Sequence, residues 1–438
     1  MSSRQPPHIV VITCHDLGRY LGCYGVGTVR TPNIDALAAA GARFTNAFTT
    51  APQCSPSRAA LATGRYPHCN GVMGLTHDRF GWDLHLEERT IASLLRERGY
   101  ETHLFGLQHV TAHVERLGFD TVHTRGLGPV VRAEVKDLLA NTNATRPLYL
   151  EINLEEPHRP FDQGGVAPDS ALGTTVPPYI PDSAAAREEF AAFQGAVAVA
   201  DHAVGQILAT LDRAGLTEQT LALFTTDHGI AMPGAKCTLS DAGLGTALII
   251  RWPAGGVPGG EVASPLISNI DILPTLLEAS GGVIPNQVQG RSFLPLLTGS
   301  PYSARSEIFA EKTFHSYYDP IRAIRTNRYT YIRNFEATFL VEVPGDIQAG
   351  AIFRDDPSAY AGATHPPVEL YDLAQDPHHR INRAGDPALA ATERDLARRL
   401  WRWMEETADP LLAGPVPSPS YRRAMADRVT GTPVKAEV

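Results

Sequence analysis

The sequence predicts an α/β protein with a mostly parallel central sheet and helices on both faces. A smaller C-terminal domain follows, with an antiparallel sheet and a helix. Three observations predict this. A unit of apolar strand, polar loop and helix recurs through the first two thirds of the chain. At Ser303 the texture changes to short strand-like pieces, closed by one helical stretch. The 438 residues, 43% hydrophobic, can fill a large core. The expected division is 1–302, 303–412 and a polar, proline-bearing tail over 413–438 that packs loosely.

The elements follow in order. Residues 8–13 are a continuous β-branched run, the pattern of a strand buried on both faces. It ends at Cys14-His15-Asp16, and a polar cluster at the end of a parallel strand is where α/β folds place ligands. Thr31-Pro32 opens a helix over 33–40, stopped by Gly41. An amphipathic helix over 87–98 is stopped by Gly99, and a strand over 102–107 runs into Gln108-His109. A helix over 128–140 precedes the apolar strand 148–154, which delivers Glu155-Glu156-Pro157-His158. Residues 165–183, rich in Pro, Gly and Ser, read as a long surface loop. A helix over 184–214, broken near its start, is stopped by Gly215, and the strand 221–225 delivers Thr226-Asp227-His228. A strand over 247–252 completes the first part. Beyond Ser303, strands are expected at 308–310, 321–326, 329–333 and 369–371, with a helix over 388–407.

Composition narrows the function. A net charge of −9 argues against nucleic acid or an anionic membrane as the main partner, but not against a small anion in a local basic pocket. The five cysteines are odd in number and scattered, which points away from a disulfide framework and toward a reducing compartment. No long apolar stretch precedes residue 8 and no run is long enough to span a bilayer, so the expectation is a cytoplasmic protein. Whether the chain forms a homo-oligomer is left open.

The most informative stretch is Cys54-Ser55-Pro56-Ser57-Arg58, continuing to Thr63-Gly64-Arg65. Locally it is a loop entering a helix, with Ser55 as N-cap and Pro56 at the first helical position. Cys54 then sits at a helix N-terminus, where unpaired N–H groups favour negative charge and lower a thiol pKa. Arg58, one turn in, can point its guanidinium at the same anion.

The string from Cys54 to Arg65 resembles the signature of the type I sulfatases, members of the alkaline-phosphatase-like superfamily. The resemblance implies that Cys54 is oxidised to formylglycine by a formylglycine-generating enzyme, and that the hydrated aldehyde is the nucleophile. The ends of the other strands then gain roles. Asp16, Asp227 and His228 match the family's metal positions, and His15 stands where an aspartate is expected. The family implies calcium, held together with residue 54. The imidazoles of His15 and His228 also suit manganese or zinc. His109 and His158 match the family's two pocket histidines, and Lys236 its second sulfate-contacting cation. Leu107 stands where the first lysine is expected. The resemblance casts Lys236 and Arg58 as holding the sulfate oxygens, His158 as protonating the leaving group and His109 as taking a proton from the nucleophile.

Within that family the chain is similar to the heparan N-sulfatases (sulfamidases). The likeness rests on Gly74-Leu75-Thr76-His77-Asp78, Tyr317-Tyr318-Asp319-Pro320 and Leu370-Tyr371-Asp372-Leu373. His77, Asp78 and His315 are candidates to face substrate. The expected substrate is a small-molecule or saccharide sulfate ester or N-sulfate. The alternatives are a phosphodiesterase or phosphonate monoester hydrolase on the same fold, toward which His15 and Leu107 lean, and a catalytically silent binding protein.

Overall fold

The computed structural model of the chain describes residues 6–77, 80–123, 126–141 and 145–430. The first part is built on an eight-stranded sheet. In chain order its strands are β1 (His8–Cys14), β2 (Ala42–Phe44), β3 (Glu101–Gly106), β4 (Thr121–Val122), β5 (Leu148–Leu154), β6 (Thr220–Thr226), β7 (Leu248–Arg251) and β8 (Glu261–Ala263). They lie side by side as β4-β3-β5-β1-β6-β7-β2-β8. Only β7 runs against its neighbours. The strands β3, β5, β1 and β6 are parallel and adjacent, so their C-terminal ends open onto one place.

Both faces are covered, as a run such as Ile9-Val10-Val11-Ile12 requires. Val10, Ile12 and Cys14 of β1 face α1 (Pro32–Ala39), α4 (Gly128–Asn141) and α5 (Ala184–Arg213). Ile9 and Val11 face the opposite way, toward α2 (Cys54–Thr63), α3 (Ile91–Glu97) and α6 (Ile272–Ala279). α5 is one continuous helix of 30 residues, not broken at its start. Ser183 caps it through the Ala186 N–H, which gives the Ala-rich first turns a fixed beginning.

The second sheet is antiparallel, in the order β9 (Glu307–Phe314), β10 (Tyr318–Thr326), β11 (Tyr329–Asn334) and β12 (Val368–Asp372). A short helix, α7 (Gly345–Gln348), lies in the excursion between β11 and β12. One face packs on α8 (Ala390–Glu406) through Leu396, Leu400, Trp403 and Met404. Ala60 of α2 and Tyr66 join that same core. The other face packs on Phe48, Leu239 and Leu244. Both cores therefore share residues with the first part of the chain.

Of the expected tail, residues 431–438 lie outside the described residues, and the stretch before them is largely exposed apart from Val416. Residues 419–430 form a helix, α9 (Pro419–Thr430), and Val416 is buried against Met73 and Trp82. The Val416 N–H also donates to the Tyr318 hydroxyl at 3.0 Å.

Candidate active site

The site forms where the four parallel strands end. His15 and Asp16 follow β1, His109 follows β3, His158 follows β5, and Asp227 and His228 follow β6. The start of α2 brings Cys54 to them. The helix begins earlier than the sequence suggested. Gln53 is the N-cap, Cys54 is the first helical residue and Pro56 lies within the first turn, where its missing N–H costs nothing. Ser55 is not the cap. Its hydroxyl turns to Thr76, accepting from the Thr76 N–H at 3.3 Å. Gln53 is extended because its side-chain amide reaches the Phe314 carbonyl, 2.9 Å away.

The ligand-type atoms of His15, Asp16, Cys54, Asp227 and His228 all lie within 4.8 Å of one another, and all five residues are buried. Asp227 is the most firmly held. Its Oδ1 accepts from the N–H groups of Asp16 and His228, each at 2.9 Å. Its Oδ2 accepts from Arg58 Nε at 3.0 Å. Arg58 Nη1 donates to the Leu107 carbonyl and to Asn153, both at 3.2 Å, and Nη2 has no partner. Arg58 therefore points at Asp227 rather than outward at an anion. His228 Nδ1 faces the Gly229 carbonyl at 2.9 Å, so the proton of its neutral form sits there. Its Nε2 lone pair then faces Asp16 Oδ1 at 3.0 Å and Cys54 Sγ at 3.5 Å.

His15 Nδ1 lies 3.0 Å from Asp16 Oδ1 and 3.5 Å from Asp227 Oδ2, so with neutral imidazoles the cluster sets acceptors against acceptors, and only a proton or a metal ion resolves it. Buried acceptors left facing one another are costly unless a cation lies between them. The donor set of two carboxylates, two imidazoles and residue 54 therefore fits a divalent metal ion. The electrostatics agree. Burial pushes the Asp16 carboxyl up, but Lys236, His15, His228 and His158 outweigh it and hold it well below the usual range. Burial alone would lower His15, but Asp227, Cys54 and Asp16 raise it to about 9. Burial raises the Cys54 thiol, and Lys236 and His15 reverse that and bring it well below its ordinary value.

The remaining predicted residues ring this cluster. Lys236 Nζ donates to Asp16 Oδ2 and Asp346 Oδ2, both at 3.0 Å. An ammonium carries three donors, so one remains for a ligand. His158 Nδ1 faces the Arg159 carbonyl at 2.6 Å, which leaves Nε2 pointing inward, 3.7 Å from Asp16. His109 Nε2 meets His77 Nδ1 at 2.9 Å, and the ring also faces Cys54. Asp16 and His109 hold positive φ of 53°, unusual for non-glycine residues and typical of constrained functional positions. Gly106, just before the His109 loop, has φ 77°, and a Cβ there would strike the Asn153 carbonyl at 1.9 Å.

His315 is not brought to this cluster. It is bound to Glu342 at 3.0 Å in a separate buried network with Lys312. Asp78 lies outside the described residues. Sequence reasoning missed Asn153 and Asp346. Asn153 was signalled by an amide in a largely apolar strand that also holds Glu151, whereas Asp346, in the excursion between β11 and β12, carried no signal.

Comparison with known proteins fits this geometry. Residues 7–283 match the sulfatase family model, and residues 235–350 match the N-sulphoglucosamine sulphohydrolase C-terminal model. Human N-sulphoglucosamine sulphohydrolase is 29% identical, over 94% of this chain and 92% of its own. An ulvan-active sulfatase of Formosa agariphila is 30% identical, over 92% and 81%. A solved structure of a protein with its substrate, D-glucosamine-2-N,6-O-disulfate, superposes with TM-score 0.73 at 18% identity, covering 92% of this chain and 99% of that one. A phosphonate monoester hydrolase from Silicibacter pomeroyi shares the fold at TM-score 0.69 and 22% identity, over 92% and 96%. The chain belongs to the sulfatase family. It is a hydrolase of sulfate esters or N-sulfates, and the phosphodiesterase and silent-binding readings give way to that one. Sulfatases generally use a formylglycine and a divalent metal ion, and the buried cluster fits both.

Proposed function

We propose that this chain removes sulfate from a sulfated saccharide unit, using Cys54 as the site of formylglycine and a metal ion held by Asp16, Asp227 and His228 with His15. The observation that carries the reading is the convergence of four buried ligand-type groups on residue 54. When present, the aldehyde hydrate supplies the nucleophilic oxygen and the metal supplies Lewis acidity.

The chain's own residues supply the rest. Asp227, fixed by two backbone N–H groups and Arg58, is an anchored acceptor beside residue 54. Arg58 is thus a positioning residue. The free donor of Lys236 grips a sulfate oxygen, the electrostatic contribution that is usually largest in such sites. Asp346 offsets the charge of Lys236, which holds the ammonium in place when no anion is bound. His158 presents Nε2 to the leaving group. Burial lowers its pKa in the free site, and an arriving sulfate dianion or monoester favours the protonated form again. His109 faces residue 54 as proton acceptor, oriented by His77.

Calcium is the family's ion, while two imidazoles among the donors favour manganese or zinc more than an all-oxygen set does. The likeness to relatives acting on sulfated sugars supports a saccharide substrate. Conversion of Cys54 by a host enzyme, a cytoplasmic location and the oligomeric state belong to this reading as expectations. Protein whose Cys54 peptide mass confirms formylglycine should show higher kcat/KM for N-sulfated glucosamine and an aryl sulfate than for an aryl phosphodiester, assayed with Ca²⁺ and with Mn²⁺. A preference for the diester would overturn it.

A further inference from the structure

The geometry points to a second ligand site, for an anionic saccharide unit, in a cavity between the second sheet and the segments that carry Lys236 and Asp346. The inference rests on the reading of the substrate as a sulfated saccharide. The cavity holds about 650 Å³, a size that accommodates one or two sugar rings. None of the residues clustered on Cys54 lines it.

Its walls mix flat apolar faces with unsatisfied polar atoms. Ile321 and Ile332 of the sheet and Tyr179 of the 165–183 loop supply the apolar surface. Asn334 donates through Nδ2 to the Pro366 carbonyl and to Glu369, both at 2.7 Å, but its Oδ1 has no partner. Neither ring nitrogen of His379 makes a hydrogen bond, although only 3% of the side chain is exposed. Its nearest carboxylate, Asp241 at 3.9 Å, is already engaged by Arg325 at 2.9 and 2.8 Å. His379 also holds a positive φ of 53° and stacks on Tyr371 at 4.7 Å.

Those orphan atoms define the ligand's chemistry. A neutral imidazole offers one donor and one acceptor, and Asn334 Oδ1 offers an acceptor. Among ligands that would displace water here, one that both donates and accepts satisfies them all, which a fully ionised anion or a hydrocarbon does not. Hydroxyl groups around a ring with an apolar face do. At the rim stand His378 and Arg380, both exposed, and the Arg380 guanidinium has no acidic partner among the described residues. An unpaired cation at the mouth, on a chain of net charge −9, selects an anionic sugar over a neutral one.

The cavity also touches the reaction site through its walls. Gly234 and Thr238 line it and flank Lys236, and Leu340 and Val341 line it a few residues before Asp346. A bound sugar would thus rest on the two segments whose side chains meet at the sulfate-gripping ammonium.

The test uses the full-length Cys54→Ala protein, which cannot consume the probe, titrated calorimetrically with D-glucosamine-2-N,6-O-disulfate. Two molecules should bind per chain. Arg380→Glu, an exposed change that leaves the core intact, should weaken one of them at least tenfold and leave the other unmoved. Asn334→Leu should do the same. A single bound molecule in the parent, or two whose affinities neither variant moves, overturns the second site. Equal binding of uncharged N-acetylglucosamine in the Arg380-sensitive site overturns the anionic class. The substrate reading is judged separately, by whether the formylglycine-bearing enzyme turns over the same disulfate. A chain that binds two molecules but releases no sulfate keeps the cavity site and loses that reading.

Discussion

Two buried charge clusters meet at consecutive residues, Lys236 and Cys237, and they are built in opposite ways. In the Cys54 cluster two carboxylates, residue 54 and the imidazoles of His15 and His228 crowd together, and with neutral imidazoles acceptors face acceptors at 3.0 Å. In the second, Lys312 Nζ meets Asp319, Glu342 at 2.9 Å and the Cys237 carbonyl at 3.1 Å. Glu342 in turn takes His315 Nδ1 at 3.0 Å and the Ser316 N–H at 2.9 Å. The second cluster closes on itself, and Lys312 and His315 hold the Glu342 carboxyl well below its usual range although burial pushes it up. A cluster with its charges matched stabilises a fold. One with acceptors left over awaits a cation and a substrate. The same lesson explains why His315, a candidate for the substrate pocket by sequence, is anchored elsewhere.

The sharpest way to break the comparison is to remove the centre of each cluster. Cys54→Ala should lower turnover by on the order of 10⁴ to 10⁶, as loss of a nucleophile does elsewhere. Its melting temperature should move by no more than about 2 °C, since it removes one thiol whose contacts are weak. Turnover within tenfold of the parent, measured on an aryl sulfate, would remove residue 54 from the reaction. Glu342→Gln should do the reverse. It takes one of two carboxylates from Lys312, which keeps Asp319, and should cost roughly 1–3 kcal/mol in denaturant unfolding. Aryl sulfate kcat/KM should fall by less than about tenfold (~1.4 kcal/mol), because Glu342 touches none of the Cys54 cluster. Full stability with lost activity would mean that the assignments of the two clusters are exchanged.

The contrast also explains what was legible in the sequence. The parallel sheet could be read because β1 holds a continuous apolar run and β5 is largely apolar, so both need cover on both faces. The site could be read because its residues follow strand ends and because Cys54 to Arg65 is a dense string. The start of α2 was misread because Ser55 is a good cap in isolation, while the Gln53 side chain is held by Phe314, 261 residues away. Such long-range claims on a side chain leave no local trace. Asp346 was invisible for the same reason. It reaches Lys236 only through an excursion of the second sheet. Arg58 was placed correctly at the site but given the wrong target, since its partner Asp227 is 169 positions distant.

A gentler probe concerns the ion. His15 stands where the family resemblance expects a carboxylate, so His15→Asp adds charge and oxygen to the donor set. The ratio of kcat/KM with Ca²⁺ to that with Mn²⁺ should rise about tenfold, equivalent to ~1.4 kcal/mol. An unchanged ratio would place His15 outside the coordination sphere and leave Asp16, Asp227 and His228 as the ligands.

The smallest effect tests whether matched clusters really serve the fold. His68 Nδ1 lies 2.7 Å from Glu311, and Arg322 ties the same carboxylate to Asp409. Burial opposes the charged imidazole, but Glu311 prevails and raises His68 to about 10. The folded pKa is therefore above the unfolded value of about 6.5. The stability this pair contributes is fully present below about pH 6.5, declines as pH rises, and is gone beyond about 10. His68→Gln should lower the melting temperature at pH 6 by a few degrees, at roughly 2 °C per kcal/mol, and by progressively less toward pH 10. The metal-dependent turnover of the variant should keep the pH profile of the parent, because His68 belongs to the second sheet's network and not to the Cys54 cluster. A melting difference that stays constant from pH 6 to 10 would show that His68 acts there as a neutral packing group, stacked on Tyr66 and edge-on to Trp403, rather than as a charge.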